Sequence, residues 1–342
     1  MKILHMADLH LGAKNSKLPK LQQDILKDEM LENVYYLFET IAPRFDVVVI
    51  CGDLFHSSNV TTKIINSLFS AVKAYGKPVI YIAGNHDENL VLEQAPSNFV
   101  MLDSQNSCFE YQNFVFCHGD YSLPLNKDKK NVLLLHGNIE NMQDNDYVDI
   151  NSYLAKGFDY IALGHVHTAK KYKKGGNIFA YSGSLFSNGF DECGEKGYLE
   201  VEINDTLDRC EFQPLVQRKY EVVKYDISAD KSNKDICQGI RNQSASQSIS
   251  DRDVLRVILT GYYDETLNKS ISLVLDDFKG QFYIEIQDES KLKIDVEALK
   301  TERFSFKNEF ISLVENSDLA SDIKQKIISL GIEALKGDDL SV

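Results

Sequence analysis

Five short segments hold most of the side chains in this 342-residue chain that could do chemistry together. In order they are Asp8-Leu9-His10, Gly52-Asp53, Gly84-Asn85-His86-Asp87, His136-Gly137 and Gly164-His165-Val166-His167. The chain has eight histidines; five lie inside these segments, and His56 follows Asp53 by three residues. Carboxylate, carboxamide and imidazole are the ligands that suit Mn²⁺, Fe²⁺ or Zn²⁺. Two such ions about 3.5–4 Å apart can clamp a phosphate and activate an oxygen for in-line attack. In DxH and HxH, alternate residues at a strand end point the same way, so both can meet one ion. A neighbouring glycine leaves room for the approach.

Each segment alone has a plainer reading. Asp8 and His10 fit an ordinary polar strand end, and Gly-Asp after a strand is commonly a turn. Gly84–Asp87 fits a loop with an Asx-turn. Gly164–His167 fits a single zinc site or a satisfied core pair. All five in sequence on one core are what point to a binuclear centre. Of the other histidines, His5 lies inside the first strand pattern and reads as packed. His118, in FCHGD, mimics a ligand, but His136 sits in the more fitting LLLHG context.

The elements that must position these residues alternate strand and helix. KILHMA opens as a buried strand. Leu21, Ile25, Leu26, Met30, Val34, Leu37, Phe38 and Ile41 follow at helical spacing. Residues 46–51 (DVVVIC) are a β-branched buried strand, and Ile64, Ile65, Leu68, Phe69 and Val72 mark a helix that stops at Gly76. Further strands are expected over 78–83, 114–118, 132–136 and 160–163. A basic hairpin has strands near 170–172 and 178–181 joined by Lys-Lys-Gly-Gly. The periods predict an α/β core with a mixed central sheet, and in such folds chemistry gathers at the carboxyl ends of strands. Every polar segment above ends a strand pattern or directly follows one.

After about residue 210 the texture changes to a small α+β module. It has strands near 220–227, 254–259 and 282–286 and helices near 234–241 and 270–278. Helical patterns near 303–315 and 320–335 form the tail. This divides the chain into 1–210, a catalytic domain; 215–290, a capping domain; and 295–342, a helical tail.

Composition is that of an ordinary globular enzyme, 43% apolar and 26% charged. No apolar run approaches the roughly 20 residues that span a bilayer, and the start is too soon interrupted by Asp8 and His10 to be a secretory signal. The six cysteines form no CxxC pair. A cytoplasmic protein with reduced thiols and no membrane association is the expectation. The net charge of −14 argues against a general nucleic-acid binder but not against a nuclease, whose cations carry local positive charge.

Taken together, DxH, GD, GNHD, H and GHxH resemble the calcineurin-like metallophosphoesterase superfamily, over residues 1 to about 205. The resemblance implies an α+β sandwich of mixed sheets flanked by helices. It implies that Asp8, His10, Asp53 and His167 hold one divalent metal and that Asp53, Asn85, His136 and His165 hold the other, with Asp53 bridging. His86 would be the catalytic histidine and Asp87 its orienting partner. A closer resemblance is to the SbcD-type DNA nucleases of double-strand-break repair and recombination. It rests on ADLHLG with Gly12, GDLFHSSNV, the GSLFSNGFDECGEKGYLEVE stretch from Gly183, and LRVILTG at 255–261. That implies a Mn²⁺-dependent exonuclease, with possible single-strand endonuclease action, that hydrolyses DNA through a hydroxide activated between two cations. It also implies a homodimer with an SbcC-like coiled-coil ATPase subunit.

Four features keep two readings each. His56 is either a surface histidine or a phosphate contact in the catalytic group. Lys170, Lys171, Lys173 and Lys174 are either a solvated face or a DNA-backbone contact. The tail's apolar stripe (Phe304, Phe306, Phe310, Ile311 and Leu313, then Leu319, Ile323, Ile327, Ile328, Leu330 and Ile332) is either core or a partner's seat. The helix over 64–72 offers a dimer face, although its stripe fits packing on the sheet as well. The competing function is a two-metal phosphatase or phosphodiesterase for a small phosphoester or nucleotide, because the same fold and site suit both.

Overall fold

The computed structural model describes residues 1–57, 60–119, 121–122, 124–264, 266–293, 299 and 305–334. Ser58 and Asn59 of the GDLFHSSNV stretch, Phe304 of the tail stripe and the polar C-terminus lie outside them. The chain divides into two compact units, Met1–Tyr220 and Glu221–Val342.

In chain order the first unit begins with β1 (Lys2–Met6), helix α1 (Lys20–Tyr36), β2 (Val47–Cys51), helix α2 (Thr62–Tyr75), β3 (Val79–Ile82) and β4 (Phe99–Leu102). Next come β5 (Cys108–Tyr111), β6 (Phe114–His118), β7 (Lys130–His136), the short α3 (Ile150–Leu154) and β8 (Tyr160–Gly164). The hairpin β9 (Lys170–Lys174) and β10 (Asn177–Tyr181) follows, then β11 (Gly197–Ile203) and β12 (Leu207–Pro214).

These strands form two six-stranded sheets, ordered β12-β11-β1-β2-β3-β4 and β5-β6-β7-β8-β10-β9. The expected single central sheet is therefore two stacked mixed sheets, as the family resemblance implied. A strand buried on both faces reads as a continuous apolar run whether a helix or a second sheet covers it, so periodicity could not separate the two. Ile3, Val47, Val49, Ile80, Phe116, Val132, Leu134, Tyr160 and Ala162 fill the space between the sheets. On the outer face of the first sheet, Leu4, Met6, Val48, Ile50 and Tyr81 pack against Phe38, Leu68 and Val72 of the helical layer. On the outer face of the second, Leu133, Leu135, Ile161 and Leu163 pack with Ile150 and Phe158. The order is helix, sheet, sheet, helix.

Most sequence elements are found within one or two residues of their expected ends, and Gly76 closes α2 in the left-handed conformation at φ 74°. One expectation fails locally. Leu21, counted in the α1 stripe, is 67% exposed; the helix docks through its C-terminal half and the π-helical turn Leu37–Ile41 that continues it. Of the two readings of the 64–72 stripe, packing on the sheet is the one observed, because Ile64, Leu68, Phe69 and Val72 are buried in the core. Strands β4 and β5 are not among the elements expected from the sequence.

His5 is wholly buried, as expected. Its Nε2 donates to the Leu163 carbonyl at 3.2 Å, so its Nδ1 accepts from the Tyr160 hydroxyl at 2.9 Å. Burial, only partly offset by that carbonyl, lowers its pKa from 6.5 to about 3. The unfolded chain therefore takes up this proton first. Stability from a neutral His5 is present above pH 6.5 and is lost towards pH 3, at roughly 1.4 kcal/mol per pH unit. Denaturant melts between pH 7 and 4 should show a shallower slope, by about one proton, for His5→Asn; equal slopes would refute the assignment.

In the second unit, β13 (Tyr220–Asp226), β14 (Val254–Thr260) and β16 (Tyr283–Asp288) make a three-stranded sheet beside the two-residue pair β15 (Tyr262–Tyr263) and β17 (Lys291–Leu292). Helices α4 (Asn233–Ser246) and α5 (Ile271–Asp277) cover that sheet through Ile236, Ile240 and Val274. The tail helices α6 (Phe306–Glu315) and α7 (Ser321–Ala334) belong to this unit rather than standing apart. Ile311, Ile328 and Ile332 pack with Leu292 and Leu299, whereas Phe306, Leu313, Leu319 and Ile323 remain exposed.

Candidate metal centre

Strands β1, β2 and β3 run parallel in one sheet, and β7 and β8 run parallel in the other. Their carboxyl ends carry all five segments. The two sheets meet there closely: a Cβ on Gly164 would lie 1.7 Å from the Cys51 carbonyl oxygen, so only glycine fits. The chain segments after β1 and β2 are tied together by Asp8 N to Gly52 O (3.1 Å) and His10 N to Asp53 O (2.9 Å).

The backbone is strained where the ligands sit. Seven non-glycine residues have positive φ among the described residues, and four of them are Asp8 (52°), His10 (44°), Asp53 (49°) and His165 (97°). Such conformations cost of order 1–3 kcal/mol each and persist where surrounding structure enforces them, commonly at functional sites.

Ligand atoms of Asp8, His10 and His167 lie within 4.8 Å of one another, as do those of Asp8, Asp53 and His136. Asp53 Oδ2 stands between the two groups, 3.6 Å from His10 Nε2 and 3.5 Å from His136 Nε2. His10 Nε2 and His167 Nε2 are 3.2 Å apart, and Asn85 Oδ1 is 3.1 Å from His136 Nε2. Asp8 is fully buried and receives the His165 backbone N–H on both oxygens (3.1 and 3.0 Å). Asp53 receives the His86 N–H at 3.0 Å.

The donor set fits a pair of cations on hydrogen-bond grounds. His136 Nδ1 donates to the Cys51 carbonyl at 2.9 Å, so the neutral ring turns its Nε2 lone pair on two oxygen acceptors, Asn85 and Asp53. His167 Nδ1 donates to Glu192 Oε1 at 2.6 Å, and its Nε2 faces His10 and Asp8. Converging lone pairs require a proton or a cation between them. Burial lowers the proton affinity of His136, but its hydrogen bond to Asp53 and the charges of Asp8 and Asp53 raise its pKa to about 9. Burial of Asp8 outweighs its histidine neighbours and lifts it to about 6. Burial opposes ionisation of Asp53 too, yet the contacts to His136 hold it down at about 2. A bound pair of divalent ions would supply Lewis acidity towards phosphoryl oxygens and a water of lowered pKa.

The expected ligands thus converge, with His165 less directly placed than the rest. Its ring is 5.2 Å from that of His136, but its ligand atom groups with those of Asp144 and Asp146, and its Nε2 lies 3.4 Å from Asp144 Oδ2. Asp144 and Glu192 were not singled out from sequence, because a carboxylate behind a histidine has no fixed spacing to it.

His86 and His56 sit at the exposed rim, stacked with ring centroids 5.4 Å apart, and His10 is 4.8 Å from His86. Asp87, expected to orient His86, does something else. It is buried, and its oxygens accept from Gly84 N (2.8 Å) and Phe55 N (3.0 Å), binding the GNHD turn to the segment after Asp53. The His56 carbonyl takes the orienting role, 3.0 Å from His86 Nδ1. A residue's carbonyl direction is invisible to a motif.

The four lysines of the hairpin do not form one patch. Alternation along β9 sends Lys170 and Lys174 to one face and Lys171 and Lys173 to the other. Lys170 pairs with Glu140 at 2.7 Å, Lys171 donates to the Cys210 carbonyl and Lys174 to Asn151.

The chain is similar to known proteins along much of its length. The family model described as calcineurin-like phosphoesterase matches residues 1–169. The DNA double-strand break repair protein Mre11 of Methanococcus maripaludis is 25% identical, over 83% of this chain and 87% of that one. A Bacillus subtilis protein named an uncharacterized metallophosphoesterase, YhaO, is 23% identical over 81% and 76%. Among solved structures, a dimetal phosphatase from Danio rerio aligns at TM-score 0.43 and 9% identity, covering 61% of this chain and 96% of that one. No described helix is long and apolar enough to cross a membrane. Residues 1–169, which carry the candidate metal ligands at the tips of two stacked sheets, match the family model described as calcineurin-like phosphoesterase.

Proposed function

We propose that this protein is a two-cation phosphodiesterase that hydrolyses DNA, with Mn²⁺ as its working metal, in double-strand-break repair. The observation that carries the hydrolytic part is Asp53 Oδ2, 3.6 Å from His10 Nε2 and 3.5 Å from His136 Nε2, between two ligand groups that have Asp8 in common. The likeness to Mre11 along most of both chains supports DNA as the substrate.

Within that reading, Asp8, His10, Asp53 and His167 hold one cation and Asp53, Asn85, His136 and His165 the other. The two ions together neutralise charge that grows on the phosphoryl oxygens, the kind of interaction that contributes most to such barriers. His86 is held with Nδ1–H on the His56 carbonyl, so in its imidazolium form the second proton, on Nε2, is the one passed to the departing 3′-oxygen, leaving the neutral ring. His56, stacked on His86, lines the same rim and contacts the strand beside the scissile bond. Lys173 is the hairpin lysine best placed to meet backbone phosphate, since it is exposed and the other three are engaged within the protein. Phe306, Leu313, Leu319 and Ile323 of the tail support a seat for a coiled-coil ATPase partner, and the protein acts as a homodimer in the cytoplasm.

The deciding assay sets degradation of linear DNA with Mn²⁺ beside hydrolysis of small phosphate esters. DNA should be shortened and the esters left nearly untouched. Rapid ester hydrolysis with intact DNA would replace this reading with a small-molecule phosphatase.

A further inference from the structure

His167 is gripped at three points by one stretch of chain, residues 183–196, which lies wholly beyond the segment that matches the phosphoesterase family. Glu192 Oε1 takes the ring Nδ1 proton at 2.6 Å. Lys196 Nζ donates to the His167 carbonyl at 3.1 Å, and Ser184 N reaches the same carbonyl at 3.3 Å. Glu192 is itself braced, because its Oε2 accepts the Asn188 backbone N–H at 3.3 Å. Lys196 is only 6% exposed, so its charge is committed to this place rather than to solvent.

An imidazole can ligate through either nitrogen, and its tautomer follows from what the other nitrogen bonds. With Nδ1–H fixed on a carboxylate, only Nε2 keeps a lone pair, and that atom lies 3.2 Å from His10 Nε2 and 4.0 Å from Asp8 Oδ1. We propose that Glu192 is a positioning residue of the metal centre: its carboxylate fixes the tautomer and tilt of His167 and so sets the affinity of the first cation site. This rests on the reading that Asp8, His10, Asp53 and His167 hold a cation. The carboxylate also makes the ring a stronger ligand by drawing on its proton, an effect that an amide supplies only weakly.

The test is Mn²⁺ titration followed by calorimetry, on wild type, Glu192→Gln and Glu192→Ala, with melting in chelator to monitor the fold. Wild type should bind two cations. Glu192→Ala should bind one of them about 10- to 100-fold more weakly, with the other unchanged, and Glu192→Gln should lie between. Nitrogen-15 imidazole spectra of the metal-free proteins should show His167 losing its single tautomer in the alanine variant. If wild type binds two cations and both variants match it, Glu192 only staples the loop and the proposal fails alone. If wild type binds fewer than two, the two-cation reading fails and takes the proposal with it. Should Glu192→Ala melt early, Glu192→Gln decides by the same criterion.

Discussion

Asp53→Ala should abolish turnover, and Asp53→Asn should come close to doing so. Asp53 Oδ2 lies within 3.6 Å of an imidazole nitrogen from each ligand group, so in the proposed two-cation centre its loss would strip a ligand from both cations at once. Removing Lewis-acid stabilisation worth about 4 kcal/mol or more slows the step by about a thousandfold or more. The alanine variant also leaves the His86 backbone N–H without its acceptor, so a lost signal could reflect a disturbed turn. The asparagine variant keeps an oxygen for that N–H but no negative charge. It should retain the wild-type melting temperature in chelator, bind fewer than two cations in calorimetry and remain at least about 10³-fold slower, in keeping with the same barrier. Two bound cations in Asp53→Asn, with a rate within about tenfold of wild type, would remove Asp53 from the bridging position.

His86→Asn should separate chemistry from metal binding. His86 neighbours Asn85 in the turn, but its Nδ1 is spent on the His56 carbonyl and its ring lies at the exposed rim. Losing a positioned proton donor typically costs about 10²–10⁴-fold in rate, and that is the drop expected in kcat. Both cations should still titrate with wild-type affinity. The split distinguishes this residue from Asp53, whose change moves rate and occupancy together. A His86→Asn enzyme that cuts DNA at the normal rate would dismiss the histidine as an acid, and one that loses a cation would recast it as a ligand. Because His86 stacks on His56, the variant also frees the neighbouring ring, so His56→Ala belongs beside it as a control.

The residues that lock the fold at this centre are glycines as much as ligands. A Cβ on Gly52 would stand 2.0 Å from His136 Nδ1, and one on Gly84 would stand 2.2 Å from Asp53 Oδ1. The GD and GN steps are thus not merely turns: each glycine clears the volume that a neighbouring ligand occupies. This explains why short motifs are so informative here, since residue type and backbone shape are demanded at the same point.

The sequence by itself determined the kind of chemistry and most of the elements that carry it. Asp8, His10, Asp53, Asn85, His136, His165 and His167 were legible as candidate ligands because metal ligation restricts residue type and because strand ends fix spacing, both of which are local properties. The apolar periods of β2, β3, β6 and β8 were legible for the same reason. Tertiary structure alone decided that the strands divide into two stacked sheets, since a doubly buried strand looks alike in either arrangement. It alone decided that Asp87 braces the turn, that the His56 carbonyl orients His86, and that Glu192 and Asp144 stand behind the two histidines of GHVH. Apart from the short Asp87–Gly84 link, those partners meet across 21 to 32 residues of chain, and no local pattern encodes a contact that only the folded path of the backbone brings about.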